Sequence, residues 1–410
     1  ASPEDFEPAV MWCCMDIDIS WGTWLRALAS GTGFAPRQSL VVPDGVGAGA
    51  LLTLTARSAL DLFLRVRSWK PGSEIVISAL TVPDMAEIIE EHGLVPVSID
   101  VDPVTGCWSH GDLLGNITPR TRALLLAHLF GHRYELAGAL RLARDHDIDV
   151  IEDCAQAWRG PGWLGHAPAA ASLFSFGPTK NCTALGGGVL RLRKREDLEQ
   201  ARRLLESDPL QSGRDYTRRV LSYGFIKALS GPRTYALAVG LLRVLGRDHE
   251  AFVHSATRSV AGTSLMTRIR QRPCRALRHM LLDAMQRQED WQARISSGRL
   301  LISALADHVQ VPGRHNTNNH FWVVPVIADR IPEFKAELRR NGFDAMSGRL
   351  KTVKGSTGQL RGSAMLEHAV YLPFHPSMSE SVLRRLGALV SAALLNGPDA
   401  AGASRQAPRT

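Results

Sequence analysis

Two hydrophobic rhythms alternate along the first half of the chain. Ser58–Ser68, Met85–Glu91 and Tyr134–Asp147 place apolar residues at helical spacing, the last with Leu136, Leu140 and Ala143 at i, i+4 and i+7. Between them run short, nearly continuous apolar segments: Glu74–Leu80, Leu94–Val101, Ala123–Leu129, Asp149–Ala155, Ala171–Phe176 and Gly188–Leu192. Apolar strands alternating with helices predict an α/β domain with an open, mostly parallel central sheet covered on both faces. In such a sheet, ligands bind beyond the carboxyl ends of the strands, so strand-end residues are the first candidates for chemistry.

The rhythm changes after residue 206. Residues 211–280 read as helical with Gly and Ser breaks, and a long helical stretch begins at 281. Strand-like HFWVVPVIA follows, then a helix at Ile331–Asn341 and a last helix near Glu380–Leu395, the pattern of a smaller α+β domain. The expected organisation is an N-terminal segment 1–50, a large domain 51–210, a helical Arg-rich insertion 211–280, a smaller C-terminal domain 281–395 and a flexible tail 396–410.

Charge sharpens this division. The 410 residues carry 48 Lys+Arg against 40 Asp+Glu. Between Gln211 and Met280 the count is 13 against 3, so the rest of the chain is slightly acidic. A uniformly basic nucleic-acid binder is a poor description, and the basic segment lacks the aromatic interleaving of a single-strand platform. It reads as a solvated helical surface, a funnel for an anionic substrate or acidic carrier protein, or a membrane-surface segment. No run of about 18 uncharged apolar residues predicts a membrane span, and the N-terminus does not read as a signal peptide. Six scattered cysteines without a CxxC pair suit a reducing cytoplasm.

Three strand ends line up in sequence order. Asp153 and Gln156 close the segment VIEDCAQA, Ser175 closes SLFSF, and Lys180 follows in GPTKN. A lysine, a carboxylate and phosphate-binding donors on one sheet suit pyridoxal phosphate. The lysine holds the aldehyde as a Schiff base and shuttles a proton, while the carboxylate keeps the pyridine nitrogen protonated. The phosphate needs donors at a helix N-terminus, and Ala56-Arg57-Ser58-Ala59 opens the first helix. Each residue alone has a plain structural reading; the order and spacing of the set carry the inference.

VIEDCAQA, SLFSFGPTKN and GGGVLRL resemble the signature of the DegT/DnrJ/EryC1/StrS aminotransferases, fold-type I pyridoxal-phosphate enzymes. VPVSIDVDPVTG, LLLAHLFGHRYEL and the closing YLPFHPSMSE support the resemblance. It implies that 51–210 is the cofactor domain, that Lys180 carries the aldehyde, and that Asp153 pairs with the pyridinium nitrogen. It further implies that Gln156 approaches the ring's phenolic oxygen, and that Ser175 with the backbone of Ser58 and Ala59 holds the phosphate. A cytoplasmic homodimer would aminate a ketone on a nucleotide-linked sugar, a cyclitol or a related natural-product intermediate, with glutamate or glutamine as donor.

Departures stand beside the matches. Arg57-Ser58 replaces the family's usual Gly-Thr, so Arg57 is a candidate contact for phosphate or a substrate anion. Val82 stands where many relatives stack an aromatic on the cofactor ring, and no partner-reaching Asn motif follows the first domain. His128 reads equally as a cofactor contact or a structural histidine. The His128/His132 pair lacks an acidic partner at metal-site spacing, so no metal is expected. Gly45–Ala50 fits GxGxxA formally, yet the following LLTLT reads as extended rather than helical. The alternatives are a non-transaminating relative (a dehydratase or a carbon–carbon bond-forming enzyme, on a carrier-bound substrate in one version) and a cofactor-free regulatory protein. Dehydratases of the family carry His where Lys180 stands, which argues against that branch.

Overall fold

The computed structural model describes residues 9–395 apart from 15, 35–38, 44–48, 247–263, 349 and 354–359. The tail expected at 396–410 and most of the GxGxxA segment lie outside the described residues.

A seven-stranded sheet forms the centre: β1 (Ala50–Thr53), β2 (Glu74–Ser78), β3 (Val95–Ile99), β4 (Thr121–Ala127), β5 (Asp149–Asp153), β6 (Ala171–Ser175) and β7 (Gly188–Leu192), in the order β1-β7-β6-β5-β4-β2-β3. The pairs from β3 through β6 are parallel. β7 runs antiparallel to both β6 and β1, so the sheet is mostly parallel, as the sequence predicts. β1 supplies the strand after the Gly-rich stretch, where a dinucleotide fingerprint would need a helix.

Helices cover both faces. α1 (Trp21–Ala29) precedes the sheet; α2 (Ala56–Arg67), α3 (Pro83–Glu91), α4 (Ala137–Asp145) and α5 (Arg195–Ser207) alternate with its strands. Ile151, Leu173 and Leu190 bury one face against Leu60, Phe63 and Ile88 of α2 and α3. Val76, Leu124 and Val150 bury the other against Leu142 and Ala143 of α4. Period-two alternation along β5 and β6 therefore puts Asp153 and Ser175 on the α2 face and Glu152 on the opposite one.

Next come α6 (Gly213–Leu229), α7 (Pro232–Val244), α8 (Arg275–Gln286) and α9 (Trp291–Ala304). The single helical stretch expected from 281 is two helices, the first starting earlier. The chain breaks at 287–290, where the Asp290 carboxylate accepts the Ala293 N–H at 2.8 Å and caps α9. The final unit combines β8 (Val324–Val326), α10 (Ile331–Arg340), β9 (Met346–Ser347), α11 (Arg361–Glu367), β10 (Val370–Leu372) and α12 (Glu380–Leu395) around a core of its own.

Among the contacts that fasten the final unit to the large sheet are a buried apolar cluster and a capped helix. Leu80, Val101 and Leu129 pack with Val323, Leu366 and Tyr371 in one buried cluster. Asp100, just past β3, accepts the backbone N–H groups of Gly362 and Ser363 at 2.9 and 2.7 Å and the Ser363 hydroxyl at 2.7 Å. A carboxylate at a helix N-terminus satisfies orphan donors and complements the dipole. Those bonds overcome the cost of burial and hold the Asp100 carboxyl below its usual range.

Candidate active site

Asp153 ends β5, Ser175 ends β6, and Lys180 sits in the turn that follows, where its N–H donates to the Gly177 carbonyl at 3.0 Å. Burial lowers the Lys180 ammonium to about 8, with Asp153 opposing the shift and Arg57 adding to it. Burial raises the Asp153 carboxyl, against the pull of the Ala155 N–H, Lys180, His128 and Arg57. Asp153 accepts the Ala155 N–H at 2.9 Å and forms no salt bridge among the described residues. A half-buried carboxylate without a bonded cation, within electrostatic reach of a lysine whose ammonium is lowered by burial, is a complementary setting for a protonated ring nitrogen.

Other residues of the site fall into two groups. The Gln156 carbonyl oxygen accepts the Phe130 N–H at 2.7 Å, which fixes the amide and leaves its NH2 to point elsewhere. Ser175 Oγ accepts the Gly177 N–H at 3.4 Å, a weak bond that leaves the hydroxyl proton available. Arg57 pairs with Asp84 at 2.9 Å and stays about a third exposed.

At the α2 N-terminus the groups expected to hold the phosphate have partners within the protein. The Ser58 N–H is taken by Thr55 Oγ1 at 3.0 Å, and the Ala59 N–H by the Thr55 carbonyl at 3.1 Å. The Ser58 hydroxyl donates to the Ile269 carbonyl at 2.7 Å. Thr55 therefore caps the helix and occupies both of these N–H groups, and among the described residues the N–H groups left without acceptors there belong to Ala56 and Arg57. Gly188 of β7 lets the sheet press against this terminus. A Cβ there would come 2.5 Å from the Thr55 carbonyl carbon and 2.7 Å from the Ala56 nitrogen.

His128 is engaged on both ring nitrogens. Nδ1 accepts the Tyr134 N–H at 3.0 Å, which puts the proton on Nε2, facing Glu152 at 3.3 Å. His166 Nδ1 reaches the same carboxylate oxygen at 3.1 Å, and the Cys154 thiol lies 3.6 Å from it. His128, Glu152 and Cys154 meet metal-ligand distances. Ligation through Nε2 would require a proton on Nδ1, which already faces a donor, so the cluster is a hydrogen-bonded bracket. Burial alone would raise Glu152, yet the two histidines hold it down to about 2.

Val82 caps the start of α3 and packs against two core clusters, including the one that joins the final unit to the sheet. The aromatic ring of the site comes from elsewhere. Trp322, just before β8, places its ring centroid 3.8 Å from Lys180 Nζ and donates its Nε1–H to the Thr179 carbonyl at 2.9 Å. Sequence reading missed Trp322, which lies in no recognisable motif; its only signal was an indole inside the strand-like HFWVVPVIA.

The sequence model of the DegT/DnrJ/EryC1/StrS aminotransferase family matches residues 47–259. The chain belongs to this family. Like other DegT-family chains it resembles curated aminotransferases. The UDP-N-acetyl-3-dehydro-alpha-D-glucosamine 3-aminotransferase of Acidithiobacillus ferrooxidans is 34% identical over 188 residues, 44% of this chain and 48% of that protein. The L-glutamine:scyllo-inosose aminotransferase of Streptomyces griseus is 34% identical over 139 residues, 33% of this chain and 32% of that protein. The chain thus spans about half the length, or less, of the curated relatives it matches. The aminotransferase TlmJ from Streptoalloteichus hindustanus shares the fold over nearly its whole length. Its TM-score is 0.68 at 19% identity, with 94% of this chain and 99% of that one covered.

Proposed function

We propose that this chain is a pyridoxal-phosphate-dependent aminotransferase. It converts a ketone on a nucleotide-linked sugar, a cyclitol or a related natural-product intermediate to an amine. Glutamate or glutamine gives up its amino group and leaves as the corresponding 2-oxo acid. One observation carries the reading: Asp153 and Ser175 end adjacent strands, and Lys180 stands in the turn beyond them within electrostatic reach of Asp153. The donor set fits the cofactor. Asp153 would hold the proton on the ring nitrogen, the Gln156 NH2 would face the ring oxygen, and Ser175 with the Ala56 and Arg57 N–H groups would hold the phosphate.

When bound, pyridoxal phosphate supplies the electron sink and carries the amino group between donor and ketone. The protein's own contribution is placement and proton traffic. Lys180, whose ammonium gives up its proton more readily than an ordinary lysine, takes a proton from the substrate carbon and returns one to it. Trp322 lies with its ring face against the lysine and favours its cationic form. Residues 51–210 form the cofactor domain in this reading, 211–280 a helical insertion and 281–395 the smaller domain. The working form is a cytoplasmic homodimer, and names of the relatives above support a sugar or cyclitol ketone.

The test is a half-reaction. Purified protein loaded with pyridoxal phosphate should lose its yellow absorbance on adding glutamate or glutamine and recover it with a keto-sugar. The aminated product should appear by mass spectrometry. Borohydride should fix the cofactor on Lys180. A Lys180→Ala protein that keeps full turnover, or a loaded protein inert to every amino donor, would sink the reading.

A further inference from the structure

The hairpin of α6 and α7 is apolar on two sides. Its inner side is conventional: α6 buries Tyr216, Val220 and Gly224, and α7 packs Tyr235, Ala236 and Val239 with Met11 and Cys13. The outer side should be polar and is not. Leu237, Leu241 and Val244 follow one another at i, i+4 and i+7 and are 75%, 61% and 85% exposed. Phe225 of α6 is 63% exposed. α1 packs beside α6 and adds Trp21 and Leu25, with Lys227 Nζ 5.8 Å from the Trp21 ring. These three helices and the residue after α7 contribute eight of the fifteen large apolar side chains standing exposed among the described residues. Such a concentration marks a docking face.

Charge decides what covers it. Residues 213–246 hold six Lys+Arg and a single acid, Asp215, and four of the cations, Arg214, Arg218, Arg233 and Arg243, stand exposed. A second copy docking through this face would bring two cationic surfaces together, which opposes association. An anionic bilayer offers an apolar boundary and a negative potential at the same depth. Lysine and arginine stems lie along the apolar surface with their charges in the headgroups, and a tryptophan beside a lysine suits that boundary. The 13-residue α7 is too short to span, and no described helix is long and apolar enough to cross a membrane. We infer that the face made by α1, α6 and α7 docks on an anionic membrane surface, its helices lying in the interfacial plane.

Flotation of the full chain with lipid vesicles tests this directly. The protein should float with phosphatidylcholine vesicles containing about a third phosphatidylglycerol, and at least about fivefold less with phosphatidylcholine alone. High salt should weaken the anionic binding. Leu237→Glu/Leu241→Glu should abolish flotation, and Arg233→Gln should weaken it about fivefold, with unchanged melting temperatures confirming that the variants fold. No flotation with either vesicle overturns the proposal. So does light scattering that shows a dimer which the Leu237→Glu/Leu241→Glu variant dissociates, or capture by soluble polyglutamate in the absence of vesicle binding. The outcome is independent of the aminotransferase reading, whose half-reaction needs no lipid.

Discussion

The proposed reaction needs a lysine that gives up its proton readily. The Lys180 amine is lowered to about 8, so reaction of the cofactor-free protein with a carbonyl reagent should rise through pH 8 rather than near 10. Replacing Asp153 with Asn removes the group that props the ammonium up, and the midpoint should fall further. Peptide mapping of the labelled lysine across a pH series checks both; an unchanged midpoint would contradict the electrostatic coupling. The Asn variant should also lose turnover by orders of magnitude, because nothing would hold the ring proton. The sequence singles out these two residues because strand-end position and chain order are local properties. It could not reveal Trp322, whose approach to Lys180 depends on how the final unit folds back over the sheet. Nor could it show that Thr55 would occupy the Ser58 N–H, since capping is settled by one side-chain rotamer.

Among the elements, α2 concentrates the most consequence in the fewest atoms. Thr55→Ala should cost about 1 kcal/mol of stability through the lost cap, read as a lower denaturant midpoint. Gly188→Val should act differently. Its side chain would collide with the backbone at Thr55 and Ala56, pushing away the N–H groups assigned to the phosphate. Cofactor affinity, measured by absorbance titration, should drop at least about tenfold. Trp322→Leu removes the indole bond to the Thr179 carbonyl, and hydrogen exchange at residues 178–182 should accelerate, whereas equal exchange would show that the clasp contributes nothing. Most strands and helices were legible because apolar periodicity follows burial. The stretch from 281 was misread because α8 and α9 continue one apolar pattern across a break that only the Asp290 cap makes physical.

The whole molecule carries an acid sensitivity written into buried groups. Burial lowers His132 to about 4, so below its ordinary value near 6.5 the unfolded chain takes a proton that the native one refuses. Stability from this group is complete above 6.5 and declines as pH falls to 4, by on the order of 3 kcal/mol. Glu152, held to about 2, adds a second loss between 4.5 and 2. His166 works the other way: Glu152 raises it, so its contribution is full below 6.5 and fades as pH rises through the raised value. Melting temperatures recorded from pH 7 to 4 should fall, and His132→Leu should flatten the upper part of that slope. The charge imbalance of the α6–α7 region was legible as composition. Its exposed leucines were not, because their helical spacing is the same signature that ordinarily marks an inward face.

Glu152 and Asp153 are neighbours on β5 with opposite assignments: one locks two imidazoles beneath the sheet, the other waits above it. Adding or deleting a single residue within that short stretch would exchange them, threading the wrong acid into each compartment. Point changes there can be absorbed by repacking, but a change of length cannot, which makes these five positions intolerant of an insertion.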